Sequence, residues 1–258
     1  MLDSLQGISN SNEKQKDRLL RLESFYAGME TSLLLKTVLH QEFQNEVALF
    51  SSFGADSALL IALVAEIDPA TPILFLDTEK HFKETLEYVE TLRNQLGLKN
   101  IKVLKPDPNI VKNIDPSGTL WSTQPNRCCW MRKVEPLQRA VREMGIKALI
   151  TGRKRYQTKE RGDMGYFQID EDGIFRINPL AYWSREQIHD EFHKRHLPEH
   201  PLVKQGYKSI GCEPCTLPVA EGQDERDGRW AHTMNLYGEK KNECGLHLDK
   251  ATTGEWSV

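Results

Sequence analysis

Val47-Ala-Leu-Phe50, Ser51-Ser-Phe-Gly-Ala-Asp-Ser57 and Ala58-Leu-Leu-Ile-Ala-Leu-Val-Ala-Glu66 follow one another without a gap. Four apolar residues in a row suit a strand buried on both faces. The middle stretch holds residues that break a strand and start a helix, with Asp56 or Ser57 as the expected N-cap. The third stretch is an apolar helix. A Ser/Gly turn at a helix start presents backbone N–H groups and the positive end of the helix dipole, which makes it a candidate anion site. An ordinary capped helix start explains the same residues. The Gly-Lys-Ser/Thr ending of a Walker loop is absent.

The alternation continues outward. Ile73-Leu-Phe-Leu76 is a second strand, His81 to Leu96 a helix closed by Gly97, and Ile101-Lys-Val-Leu104 a third strand. Pro106 to Arg127 is expected to be loop, because it holds four prolines and a glycine. Cys128 to Met144 reads as a helix that Pro136 kinks or restarts. Ala148-Leu-Ile150 is a fourth strand, and Phe167-Gln-Ile169 with Ile174-Phe-Arg-Ile177 flank Asp170-Glu-Asp-Gly173 as a hairpin. Ser184 and Gln187 form a capping box for a helix to His193. Upstream, Glu13 to Leu22 and Thr31 to Phe43 read as helices. Strands separated by long helices predict an α/β fold, a mostly parallel sheet with helices on both faces. Three parts are expected: a helical segment 1–44, an α/β domain 45–215 and a C-terminal tail 216–258. In such sheets ligands bind beyond the carboxyl ends of the strands, so chemistry is sought after strands one, two and four.

The 258 residues are enough to bury a core without disulfides. Lys and Arg total 34 and Asp and Glu 37, a net charge of −3 that argues against a nucleic-acid binder but leaves room for a local basic pocket. The longest apolar run, Ala58 to Ala65, is far shorter than the roughly 20 residues of a spanning helix, so no membrane partner is expected. Met1 to Ile8 has no basic region followed by an apolar stretch, and a cytoplasmic location with reduced thiols is expected.

Five cysteines in such a compartment favour metal or thiol chemistry. Cys128 and Cys129 are adjacent, and Cys212-Glu-Pro-Cys215 is a Cys-x-x-Cys pair that can converge on zinc or an iron–sulfur cluster. Adjacent cysteines are a poor bite for one tetrahedral ion and suit two irons of one cluster better, which favours a four-iron cluster over zinc. A buried chance pair is the commoner explanation of Cys128-Cys129 alone. A thioredoxin-like redox pair at Cys212 and Cys215 lacks the surrounding βαβ pattern. Cys244, in Glu243-Cys-Gly-Leu-His247, has no apolar neighbourhood to bury it and reads as an exposed reactive thiol, with His247 placed to lower its pKa or assist proton transfer. Arg226 and Arg229, in Glu225-Arg-Asp-Gly-Arg-Trp230, can clamp a phosphate or sulfate. A solvated charged stretch is the default for such a run. Arg153-Lys-Arg155 with Lys159 and Arg161 follows the fourth strand, where an anion site is favoured.

Together these segments resemble the assimilatory adenylyl sulfate reductases, the iron–sulfur branch of the family that also holds 3′-phosphoadenylyl sulfate reductases. The carrying residues are Ser51 to Ser57, Leu76-Asp-Thr-Glu79 with Glu84-Thr-Leu86, Cys128-Cys-Trp-Met-Arg-Lys133, Thr151-Gly152 with Arg155 and Gln157, Cys212-Glu-Pro-Cys-Thr216, Glu225 to Trp230 and Glu243 to His247. The resemblance implies a fold like that of the adenosine nucleotide α hydrolases. It implies a [4Fe–4S] cluster on Cys128, Cys129, Cys212 and Cys215, with residues 45–215 as the nucleotide- and cluster-binding domain. It implies Cys244 in the tail as catalytic nucleophile and thioredoxin as a separate reductant. It places Lys133, Arg161, Arg226, Arg229 and His247 among the substrate contacts, and Ser51 and Leu76 at the nucleotide. Phe53 departs from the small residue many relatives carry, and Asp56-Ser57 is closer to the ATP-cleaving relatives. Rival functions are a 3′-phosphoadenylyl sulfate reductase, an ATP-cleaving nucleotidyl transferase of the same fold with structural zinc, and a non-enzymatic metal-binding module. A homo-oligomer is left open.

Overall fold

The computed structural model describes residues 2–231 and Leu246, with side chains from residue 13 onward except that of Glu160. Six strands form one sheet: β1 Val47–Ser51, β2 Ile73–Leu76, β3 Ile101–Leu104, β4 Ala148–Thr151, β5 Phe167–Ile169 and β6 Phe175–Ile177, in the order β3-β2-β1-β4-β6-β5. Every pairing is parallel except the β5–β6 hairpin. The expected mostly parallel α/β sheet is what forms.

The chain moves from β1 toward β3 on one side and crosses back to place β4 on the other. The order reverses at β1, and a crevice opens where the loops after β1 and β4 part.

Period-two alternation sorts the strand side chains onto two faces. Leu49, Ile73, Phe75, Ile150, Phe175 and Ile177 share one buried cluster with residues of α1 Leu2–Tyr26, α2 Thr31–Thr37, α3 Ser57–Ile67, α4 Lys83–Gln95 and α9 Arg185–Lys194. Ala48, Leu74, Leu76 and Leu149 face the other way, against Leu137 and Val141 of α8 Glu135–Glu143. α3 is apolar on nearly every side and is buried from Ala58 to Val64, as its composition requires. α1 covers the β5 edge.

One expectation is corrected. The stretch 106–127 is not loop: it contains α5 Pro108–Ile114, α6 Leu120–Thr123 and the start of α7 Pro125–Cys129. Pro108 and Pro125 sit in the first turn of their helices, where a missing N–H costs nothing. Asp107 caps α5, accepting from Asn109 N–H at 2.7 Å and Ile110 N–H at 3.3 Å. The break expected at Pro136 takes the form of a change of helix type. α7 runs through a π-helical turn, Trp130–Val134, into α8, whose first turn takes Pro136. The capping box of Ser184 and Gln187 forms as expected, and Gly97 ends α4 with φ at 62°.

Candidate active site

The carboxyl ends of β1, β2 and β4 open into a cavity of about 220 Å³. Ser51, Leu76, Lys133, Arg161, Arg226 and Arg229, the six expected substrate residues among those described, all line it. They arrive from five separate stretches of chain. Cys244 and His247 lie outside the described residues. Leu246, between them, lines the same cavity and packs against the cluster of Cys129, Cys212, Cys215 and Trp230.

The first wall is the turn after β1. Ser51 Oγ accepts the Phe53 N–H at 3.1 Å. Phe53 has φ at 49°, left-handed backbone that a bulky residue rarely adopts. Its ring is wholly buried, edge-on to Phe75 at 5.2 Å between centroids. Phe53 is therefore an apolar anchor for the turn. Asp56, one of the two residues expected to cap α3, stands at the N-cap position, but its side chain makes no cap hydrogen bond. Its carboxylate instead accepts from Lys154 Nζ at 2.9 Å. Lys154 was visible only as part of a basic cluster, and its carboxylate partner lies 98 residues away.

At the end of β2 the Leu76 carbonyl is 2.8 Å from His81 Nε2. A carbonyl only accepts, so Nε2 carries the proton and Nδ1 the lone pair. Burial above all, then Lys133 and Arg229, hold the His81 pKa below the usual range. The ring lines the cavity without adding positive charge at neutral pH. No spacing or composition signal marks His81 in the sequence.

Three further cations of the wall are fixed by neighbouring side chains. Arg161 donates to Gln157 Oε1. Arg153 donates to Thr151 Oγ1 at 3.2 Å, Asn178 Oδ1 at 3.1 Å and Gln168 Oε1 at 2.8 Å. Arg229 is buried and lies over the Trp230 ring, 4.4 Å from its centre. A side chain at position 211 would collide with its guanidinium, so the glycine before Cys212 is what lets Arg229 pass.

The four cysteines at 128, 129, 212 and 215 are all buried, and none is in a disulfide. Cys128 and Cys129 end α7, while Cys212 and Cys215 bracket a 3₁₀ turn whose Cys215 N–H donates to Cys212 O at 3.0 Å. Trp230 N–H donates to Cys215 O at 3.0 Å, which ties the arginine loop to this turn. Burial, then the neighbouring sulfurs, pushes the Cys128 and Cys215 thiols up to about 12. Burial opposes the Cys212 thiolate too, yet Lys133, the Thr78 hydroxyl at 3.3 Å and Arg229 together hold that thiol below its usual value. Cys129, Cys212 and Cys215 thus cluster with Trp230 and Trp121, and Cys128 packs in the adjoining cluster that shares Trp121. Among the described residues no three His, Cys, Asp or Glu side chains converge as they would on a single ion.

The sequence matches the model of the phosphoadenosine phosphosulfate reductase domain over residues 46–218. The chain belongs to the phosphoadenosine phosphosulfate reductase family. A relative named adenosine 5′-phosphosulfate reductase from Mesorhizobium japonicum is 42% identical over 95% of this chain and 92% of its own length. A protein of the same name from Staphylococcus epidermidis is 35% identical over 81% of this chain and 84% of its own. Among solved structures, phosphoadenylyl-sulfate reductase from Candida auris superposes with a TM-score of 0.68 at 24% identity, covering 78% of this chain and 97% of that one. The FMN adenylyltransferase of Candida glabrata reaches 0.52 at 15% identity, over 81% and 76%. These likenesses show the fold alone: the chain shares it with a solved reductase and, more distantly, with an adenylyltransferase. No helix among the described residues is long and apolar enough to cross a membrane.

Proposed function

We propose that this reductase-family chain converts adenylyl sulfate to sulfite and AMP, with Cys244 as nucleophile and thioredoxin as a separate reductant. The observation that carries this is the shared wall: Lys133 and Arg229 line the anion cavity and also act on the Cys212 sulfur. The names of the relatives supply the substrate class.

The substrate is a mixed sulfate–phosphate anhydride. Lys133, Arg161, Arg226 and Arg229 offset its charge, which a thiolate must otherwise approach against repulsion. Ser51 and Leu76 mark the nucleotide end, and His247 assists the thiol. The Cys244 thiolate attacks sulfur, the bond from sulfur to the bridging oxygen breaks, and AMP leaves with the electron pair. Cys244 then carries an S–SO₃⁻ group. A reductant thiolate attacks the Cys244 sulfur, sulfite leaves, and the second reductant thiol closes a disulfide that returns Cys244 to the thiol. A C-terminal segment beyond the packed Trp230 that presents Cys244 to two partners in turn fits this sequence of steps.

Cys128, Cys129, Cys212 and Cys215 would hold a [4Fe–4S] cluster. Two pairs of buried thiols, with cations and a hydroxyl beside one sulfur, suit an anionic cluster. When bound, it would supply a delocalised negative centre.

Cys244→Ser is expected to abolish sulfite release from adenylyl sulfate while leaving the visible charge-transfer absorption intact. Sulfite released at the wild-type rate by that variant would end the nucleophile assignment. The same assay run with the 3′-phospho analogue separates the two reductase activities: faster turnover of the analogue would move the substrate assignment.

A further inference from the structure

Arg185 stands outside the cavity wall, on the first turn of α9. Its guanidinium pairs with the Glu225 carboxylate and lies 4.6 Å from the centre of the Tyr156 ring. Glu225 lines the cavity beside Arg226, in the loop that also delivers Arg229. Tyr156 sits in the other basic loop, next to Gln157, whose side-chain oxygen accepts from Arg161 and from the Lys154 N–H. One side chain therefore touches both loops that bring cations to the cavity.

The tip of the second loop is shaped by short-range turns. Arg226 N–H donates to Asp224 at 2.8 Å and Asp224 N–H to Asp227 at 3.1 Å. Those bonds fix the loop's form. Its place relative to the Arg161 loop depends on contacts beyond that turn, the Trp230–Cys215 bond at its far end and Arg185 near its tip. Arg185 also neutralises Glu225, a carboxylate in the lining of the anion cavity. A guanidinium suits both tasks, since it pairs through its edge and stacks through its face.

We propose that Arg185 is a positioning residue for the anion site: its pairing with Glu225 and its stacking on Tyr156 set the spacing between Arg161 on one side and Arg226 and Arg229 on the other. The proposal rests on the function given above.

The test is calorimetric affinity for adenylyl sulfate, with kcat and a urea midpoint, in Arg185→Ala, Arg185→Lys, Glu225→Gln and the Ala/Gln double variant. Arg185→Ala should weaken binding about three- to five-fold, the scale of a partly exposed ion pair. Its kcat should stay within about two-fold and its midpoint unchanged, as for a loss of uniform binding. Arg185→Lys should recover part of the affinity. The double variant should be no weaker than Arg185→Ala, because both changes break one contact. Unchanged affinity in Arg185→Ala, a double variant whose losses multiply, or a midpoint that falls in step with affinity would each overturn the role. Wild-type protein that binds adenylyl sulfate but releases no sulfite removes the proposed activity and leaves this spacing role to be judged by affinity alone.

Discussion

Lys154 and Asp56 form an ion pair whose two ends live in different media. The Lys154 side chain is 2% exposed and that of Asp56 41%. Removing either partner gives different results for that reason. Asp56→Ala leaves an ammonium in a dry site with its carboxylate gone, which is expensive. Lys154→Met leaves a carboxylate that water can solvate, and fills the buried volume with an apolar chain of similar length. Asp56→Ala should therefore destabilise by about 1–3 kcal/mol, a buried-pair loss reduced for the exposed partner. Lys154→Met should cost under about 1 kcal/mol. Urea midpoints of the two variants check the order, and a Lys154→Met variant less stable than Asp56→Ala would contradict it. Such a pair is invisible in sequence. Lys154 shows there as a member of a basic cluster and Asp56 as a helix cap, and only the crossing of two parallel strands brings them together.

At the scale of elements, Arg132 ties three pieces around the cysteines. It sits in the π turn between α7 and α8, is 3% exposed, and donates to Thr78 O at 3.0 Å and to Asp115 Oδ2 at 3.1 Å. Asp115 in turn accepts the Leu120 N–H at 3.0 Å, at the start of α6. The turn after β2, the α5–α6 corner and the cysteine helix are thus joined through one guanidinium. Arg132→Leu should destabilise by about 3–5 kcal/mol, because Asp115 is left charged and buried. Adding Asp115→Asn should return part of that loss. A double variant no more stable than the single, by urea unfolding, would show that the cost lies in packing. The helix itself was legible from residue 128, while its π turn was not: one extra residue in a turn leaves no mark on a 3.6-residue pattern. The prolines at 108 and 125 misled because proline signals a loop and a helix's first turn equally well.

Across the whole molecule, the sheet was the most legible part, since four short apolar runs each became a parallel strand. The cavity followed from where those strands end. Its cationic wall was legible as motifs in family order, whereas His81 and the Glu225–Arg185 contact depend on distant packing. The same dependence governs stability against acid. His200 is wholly buried between α4 and the turn that follows it. Leu202 N–H donates to its Nδ1 at 3.2 Å, so Nδ1 must keep its lone pair. Nε2 therefore carries the proton and donates to Thr85 Oγ1 at 3.0 Å. Both ring nitrogens are satisfied only in the neutral form. Burial pushes the pKa down to about 4, against about 6.5 in an unfolded chain. The unfolded state binds the proton first, so this stabilisation is full above about pH 6.5 and drains away as pH falls toward 4. The loss amounts to on the order of 2 kcal/mol. His200→Gln, which can still accept from Leu202 and donate to Thr85, removes the titration. The stability difference between wild type and variant, from urea unfolding at pH 7.5 and about pH 4.5, should shift toward the variant in acid by about that amount. A difference that does not change between the two pH values would mean that His200 is protonated without penalty in the fold.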